Sequence, residues 1–229
     1  MSFNFTQLIP GVGHELTHVA TAGIVTGGLI VMGLIGRASL GSGEQSVIPS
    51  DKVGVRSIFE MITEFIQGLC DMVIGEGGRK YIPMFSAIFL FVLANNLMGI
   101  IPGMTPATEN INTTFAMGLF TFLAYNMYGI KENGIGYLQH FLGPIIWLAP
   151  IMLPIELISH MVRPFSLGLR LANVMMGDHT VVGIFLGLGP GVVLPIPFYL
   201  LGIFVCFVQA FVFTLLSMVY VAMATAHDH

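Results

Sequence analysis

The feature that most constrains this chain is Pro154 to Thr180, PIELISHMVRPFSLGLRLANVMMGDHT, which sets two arginines, two acids and two histidines inside an apolar, membrane-length region. A charge at the centre of a bilayer helix costs roughly 2.5–3.5 kcal/mol on insertion scales, so ionisable residues held there point to function. Several on one helix point to an ion path. Read as helix, Ser159, Arg163, Ser166, Arg170, Asn173 and Gly177 recur at alternating steps of four and three residues and form one polar or small-residue seam. Small residues let a second helix approach closely, whereas the Arg170 guanidinium needs protein or a wet cavity in front of it. Arg163 lies nearer one end and can reach the headgroups by snorkelling.

The surroundings exclude a water-soluble domain. Of the 229 residues 55% are hydrophobic and 9% charged, and the mean hydropathy is +0.87, which leaves far too much apolar surface for water. The expected fold is an all-α polytopic membrane protein, a single membrane domain over residues 1–229. A net charge of −4 without any basic run gives no nucleic-acid signature. Cys70 and Cys206 fall in separate predicted helices with no metal-type spacing, so both are assigned to packing, and no cofactor is indicated.

Residues 1–18 lack Lys and Arg and read as a retained outer tail rather than a secretory signal. The first span is predicted over 19–36, closed by Arg37, and a Gly/Ser-rich loop follows. Over 55–73 the apolar residues share one helical face opposite Arg56, Glu60, Glu64, Gln67 and Asp71, which predicts an amphipathic helix at the membrane interface. Spans two and three are predicted over 82–101 and 111–130, with the turn at Pro102–Pro106 between them. The polar entry to span three, Asn110, Asn112, Thr113 and Thr114, fits a helix cap or a wet vestibule.

Residues 138–188 are too long for one perpendicular span. Even 145–186 would run about 63 Å as helix, about twice a ~30 Å hydrocarbon core, so this region must tilt, break or lie partly in plane. Pro150, Pro154 and Pro164 are its kink points. The final helix, 197–224, carries Gln209 as its one strongly polar mid-span side chain. About five membrane helices and one interfacial helix are expected, the last two forming a long tilted hairpin.

Arg37, Lys52, Arg56, Arg79 and Lys80 lie between spans one and two, and Lys131 follows span three, so these loops are expected on the cytoplasmic side, with the N-terminus outside and the C-terminus inside. Glu156, Ser159, His160 and Arg163 then fall on the cytoplasmic side of Arg170. Asn173, Asp178 and His179 fall on the outer side, toward the Glu109–Asn112 turn. Two sets of proton-exchanging groups separated by a fixed charge is a layout for two half-channels with a barrier between them.

RPFSLGLRLANVMMGDHT, followed by FVQAFVFTLLSMVYVAMA near the C-terminus, resembles subunit a of F-type ATP synthases over nearly the whole chain. The likeness includes Asn96-Leu97-Met98, Asn110-Ile111-Asn112, Glu156, Ser159, Ser166 and Arg170. It implies a non-catalytic stator subunit in the inner (plasma) membrane, working against a ring of subunit c and beside the peripheral-stalk subunit b, with H⁺ as the ion. In that family the arginine matching Arg170 is essential, and the glutamine matching Gln209 lies across from it on the final helix, where Gln209 is expected to hold and position the Arg170 guanidinium.

This sequence departs from the family pattern on the outer side. Many relatives have asparagine four residues after the arginine, whereas here Asn173 stands at three and Val174 at four. The position nine beyond the arginine is His179, preceded by Asp178. Gly202, seven before Gln209, replaces a residue often polar in relatives, and Gly99 replaces an acid that some carry.

Another class of function is written in His14-Glu15-Leu16-Thr17-His18, which matches H-E-x-x-H, so that an intramembrane zinc protease using His14, Glu15 and His18 is the alternative reading. A haem or quinone subunit would need axial histidines facing each other across spans, whereas His140, His160 and His179 share one segment.

Overall fold

The computed structural model describes residues 16–38, 54–101, 103–134, 149–187 and 195–225, with no strand among them. Six α-helices follow one another: α1 (Thr17–Ala38), α2 (Val55–Val73), α3 (Ile82–Met98), α4 (Ile111–Asn133), α5 (Ala149–Gly187) and α6 (Pro195–Thr225), with 3₁₀ turns at Glu76–Tyr81 and Ala107–Glu109. Among the described residues, Thr17–Ala38, Gly77–Met98 and Ile196–Thr225 are long and apolar enough to cross a membrane by themselves. Helices α4 and α5 are as long, but carry Lys131 and Glu132 or the charged groups of the Arg170 region. Their company in a bundle, rather than their own composition, makes a membrane position tolerable.

Of the three courses open to the long region, α5 does not break. It runs for 39 residues through Pro154 and Pro164, about 58 Å at 1.5 Å per residue, so it must incline strongly to fit a ~30 Å core. Pro164 removes one bond from the ladder, to the carbonyl of His160, and the helix is supported there from outside by α4.

One core joins α3, α4, α5 and α6, and α2 rests on its side. Phe85, Phe89 and Val92 of α3 share one buried cluster with Leu167, Leu171 and Met175 of α5 and Cys206, Ala210 and Phe213 of α6. The apolar face of α2 is divided: Ile66 and Cys70 are fully buried, while Ile58, Phe65 and Met72 remain outward-facing. Its polar face carries Arg56 and Glu60, paired at 2.5 Å across one helical turn. Cys70 is enclosed where the chain doubles back, its Sγ donating to the Gly78 carbonyl at 3.2 Å, and burial with the adjacent Asp71 pushes its thiol pKa up. A Cβ on Gly78 would sit 2.8 Å from that sulfur, so only glycine lets the turn close here. Both cysteines are free and buried, as packing roles require.

Several polar groups inside the bundle are satisfied within their own helix, whereas Ser86 Oγ and Asn95 Oδ1 are buried without a hydrogen-bond partner among the described residues. The hydroxyls of Thr121, Thr214 and Ser217 donate to carbonyls four residues back. Asn96, 1% exposed, accepts from the Thr108 hydroxyl at 2.7 Å and donates to the Cys206 carbonyl at 3.3 Å, tying α3, the Ala107–Glu109 turn and α6 together. Asn96→Leu should cost about 1–3 kcal/mol by stranding the Thr108 hydroxyl. Thermal unfolding in detergent reads this as a lowered midpoint; an unchanged midpoint would show that the bridge contributes nothing.

Candidate functional site

The buried face of α5 comprises His160, Pro164, Leu167, Gly168, Leu171, Ala172, Met175 and Val182. The seam picked out from the sequence lies on the other face: Ser159, Ser166, Arg170, Asn173 and Gly177 are exposed, and Arg163 is half-buried. Arg170 is exposed and makes no ion pair among the described residues. Large exposed apolar side chains stand elsewhere around these helices: Phe165, Leu169 and Met176 lie about 100–140° around α5 from Arg170, and Phe204 and Phe207 are exposed on α6. A guanidinium exposed on a seam of small and polar residues needs protein or a wet cavity in front of it, and the small residues beside it admit a closely approaching helix.

Two polar clusters tie α5 to α4 on either side of Arg170. At one end, His160 is 6% exposed and its Nε2 donates to Asn126 Oδ1 at 2.9 Å. The Asn126 amide is oriented by its own Nδ2 donating to the Phe122 carbonyl at 2.7 Å. The Tyr125 hydroxyl lies 3.4 Å from both ring nitrogens of His160. On the open side of the same stretch, Arg163 approaches Glu156 at 3.7 Å and lies over the Tyr220 ring at 5.6 Å. The four residues read from the sequence as one path thus divide: Glu156, Ser159 and Arg163 lie toward the seam, and His160 lies behind them.

At the other end, His179 Nδ1 and Glu109 Oε2 are 2.9 Å apart, both residues about 30% exposed by side chain, at 31% and 28%. The short turn Ala107–Glu109 before α4 delivers the glutamate. Asn110 caps α4, its side chain accepting from the Asn112 backbone at 2.9 Å, and the Asn112 side chain is exposed. Asp178 turns toward α6, where a Cβ on Gly202 would come 2.9 Å from its Oδ2. The carboxylate therefore takes the space that a side chain at position 202 would fill. A cavity of about 220 Å³ adjoins it, lined otherwise by apolar residues such as Val174, Phe198 and Val205. From His160 to His179 is 19 residues, about 28 Å of helix, with Arg170 near the middle.

Gln209 is buried in α6, at 6% exposure, while Arg170 is on the open face of α5. No direct hydrogen bond joins them among the described residues. His14 and Glu15 lie outside the described residues. His18 stands at the start of α1, and no group of three or more His, Cys, Asp or Glu suited to a metal occurs among the described residues. Tyr125, Asn126 and Tyr220 were not singled out by sequence. The Tyr125-Asn126 pair inside an apolar span was the available signal, and only packing assigns it to His160.

These features describe a helical membrane protein with an arginine exposed on one long helix and ionisable side chains before and after it along that helix. Residues 16–222 match the family model described as ATP synthase A chain. The chain is 65% identical to ATP synthase subunit a of Bdellovibrio bacteriovorus over 230 aligned residues, covering all of both chains. It is 46% identical to ATP synthase subunit a 1 of Pelobacter propionicus over 77% of this chain and 76% of that one. With ATP synthase subunit a of Geobacter sulfurreducens it shares 40% identity over 94% and 93% of the respective chains. The chain belongs to the ATP synthase subunit a family, and is thus a membrane component of the complex that links proton transport to ATP synthesis.

Proposed function

We propose that this chain is the proton-conducting, non-catalytic stator subunit of a rotary F-type ATP synthase, with Arg170 separating two half-channels that open onto a ring of subunit c. The observation that carries the proposal is the exposed Arg170 on the polar and small-residue seam of α5, midway between the Glu109–His179 and Glu156–Arg163 pairs. Protons enter on the outer side by Glu109, Asn110, Asn112, Asp178 and His179, pass Asn173, and neutralise a ring carboxylate. After nearly a full turn that carboxylate meets Arg170 from the other side. An opposite charge within several Å lowers a carboxylate's pKa, so the proton leaves toward Glu156, Ser159, Arg163 and His160. Direct passage between half-channels is opposed by the same fixed charge, which preserves the roughly 2.3 kcal/mol that each proton supplies at 100 mV.

The orientation, N-terminus outside and C-terminus cytoplasmic in the inner membrane, is supported by a second set of contacts. Lys80 pairs with Glu132, and Asn133 donates to the Ala224 carbonyl at 3.1 Å, so the start of α3 and the ends of α4 and α6 meet at one end, where the basic residues gather. The peripheral-stalk subunit b would sit against the bundle away from the Arg170 face. A ring covering that face predicts that Ser166→Cys and Asn173→Cys each form disulfides with a cysteine scanned along the outer helix of the ring in native membranes. Free reaction of both with a bulky maleimide in the intact complex, without crosslinks, would remove the ring from this face.

A further inference from the structure

We infer that Gly118 and Gly168, with Asn126, are positioning residues that set the rotation and depth of Arg170, an inference that rests on the role proposed above for that arginine. Helices α4 and α5 meet backbone to backbone. A Cβ on Gly118 would fall 2.5 Å from the Pro164 carbonyl oxygen, and one on Gly168 would fall 2.9 Å from the Thr114 carbonyl oxygen and 3.1 Å from the Phe115 Cα. What blocks each site is main chain rather than the far end of a flexible side chain, so a methyl group there must move a helix.

The direction of that movement matters. At 3.6 residues per turn Gly168 lies about 160° around α5 from Arg170, so the tight face is nearly opposite the charged one. Pushing α5 off α4 therefore moves the guanidinium outward, toward whatever covers it, or rolls it aside. The second clamp is independent of the glycines. His160, four residues before Pro164 on the same side of α5, donates to Asn126 across the helix pair at 2.9 Å, just where Pro164 has deprived the helix of a backbone bond. The two glycine contacts and this hydrogen bond thus fix three successive turns of α5, and Arg170 projects from the end of that clamped stretch. A charge that must meet a moving carboxylate without passing protons directly needs such fixing, because displacement by about 1 Å can cost on the order of a hundredfold in a positioned reaction.

The test uses the assembled ATP synthase in inverted membrane vesicles and reads protons pumped per ATP hydrolysed, with each value referred to the amount of complex present. A purely structural role lowers the amount of complex and leaves that ratio unchanged. Gly118→Ala and Gly168→Ala are expected to lower the ratio on the order of tenfold or more. Gly183→Ala, the same change on the same helix with nothing within 4 Å of the new methyl, leaves it unchanged. Asn126→Ala, which removes the hydrogen bond without adding volume, lowers it on the order of threefold and decides the matter if neither glycine variant assembles. A ratio within about twofold of the parent in every variant that assembles, with Arg170→Lys still uncoupled, overturns this inference alone. Normal pumping in Arg170→Lys overturns the reading beneath it.

Discussion

Membrane vesicles carrying Arg170→Lys are expected to hydrolyse ATP and to show no ATP-driven proton pumping. Lysine keeps the formal charge but concentrates it in a strongly hydrated ammonium whose pKa falls readily on leaving water, whereas a guanidinium stays protonated and presents a planar fork. The exposure of Arg170 sharpens the expectation, because no described residue pairs with it to hold a lysine in its place. The fork is also pre-organised, so less side-chain entropy is lost per hydrogen bond when a carboxylate arrives. Quenching of a pH-sensitive dye on ATP addition is the measurement. Quenching near the wild-type rate would falsify the assignment of Arg170 as the barrier.

Replacing Glu109 and His179 together, as Glu109→Leu with His179→Phe, is expected to slow proton flux on the order of a hundredfold while the complex still assembles. The double change is the informative one. Either single change leaves a partly buried ionisable group without its 2.9 Å partner and invites misfolding, whereas removing both partners in favour of apolar groups of similar shape is far less costly. Among the described residues the pair is the only ionisable contact between the Ala107–Glu109 turn and the far half of α5, which makes it the natural first exchange point on that side. Asp178, close by on α5 but facing α6 and the Gly202 space, would not replace it, because its carboxylate is directed into the apolar cavity between α5 and α6. Flux unchanged by the double replacement, with an unchanged pH profile, would put the entry elsewhere.

Much of this was legible in the chain itself. The amphipathic period over 55–73 gave α2 its bounds, Val55–Val73, because a 3.6-residue pattern of apolar and charged positions is local information. Asn110 was readable as a cap for the same reason, since the side chain of an N-cap acts on backbone two residues away. The Arg170 seam also emerged from spacing alone, and Ser159, Ser166, Asn173 and Gly177 share its open face.

The sequence by itself determined the class and the helices and singled out the candidate residues, because apolar runs, helical periodicity and the expense of an intramembrane charge are all properties of short stretches. Only the tertiary structure decided how those residues are grouped. It separated His160 from Glu156, Ser159 and Arg163 and gave it to Asn126 and Tyr125, joined His179 to a glutamate 70 positions away, and set Asp178 into the room left by Gly202. It also carried α5 unbroken through two prolines. Each of these outcomes depends on which neighbour packs against a helix face and how closely its backbone approaches, and neither quantity is encoded in the spacing of residues along one strand of chain.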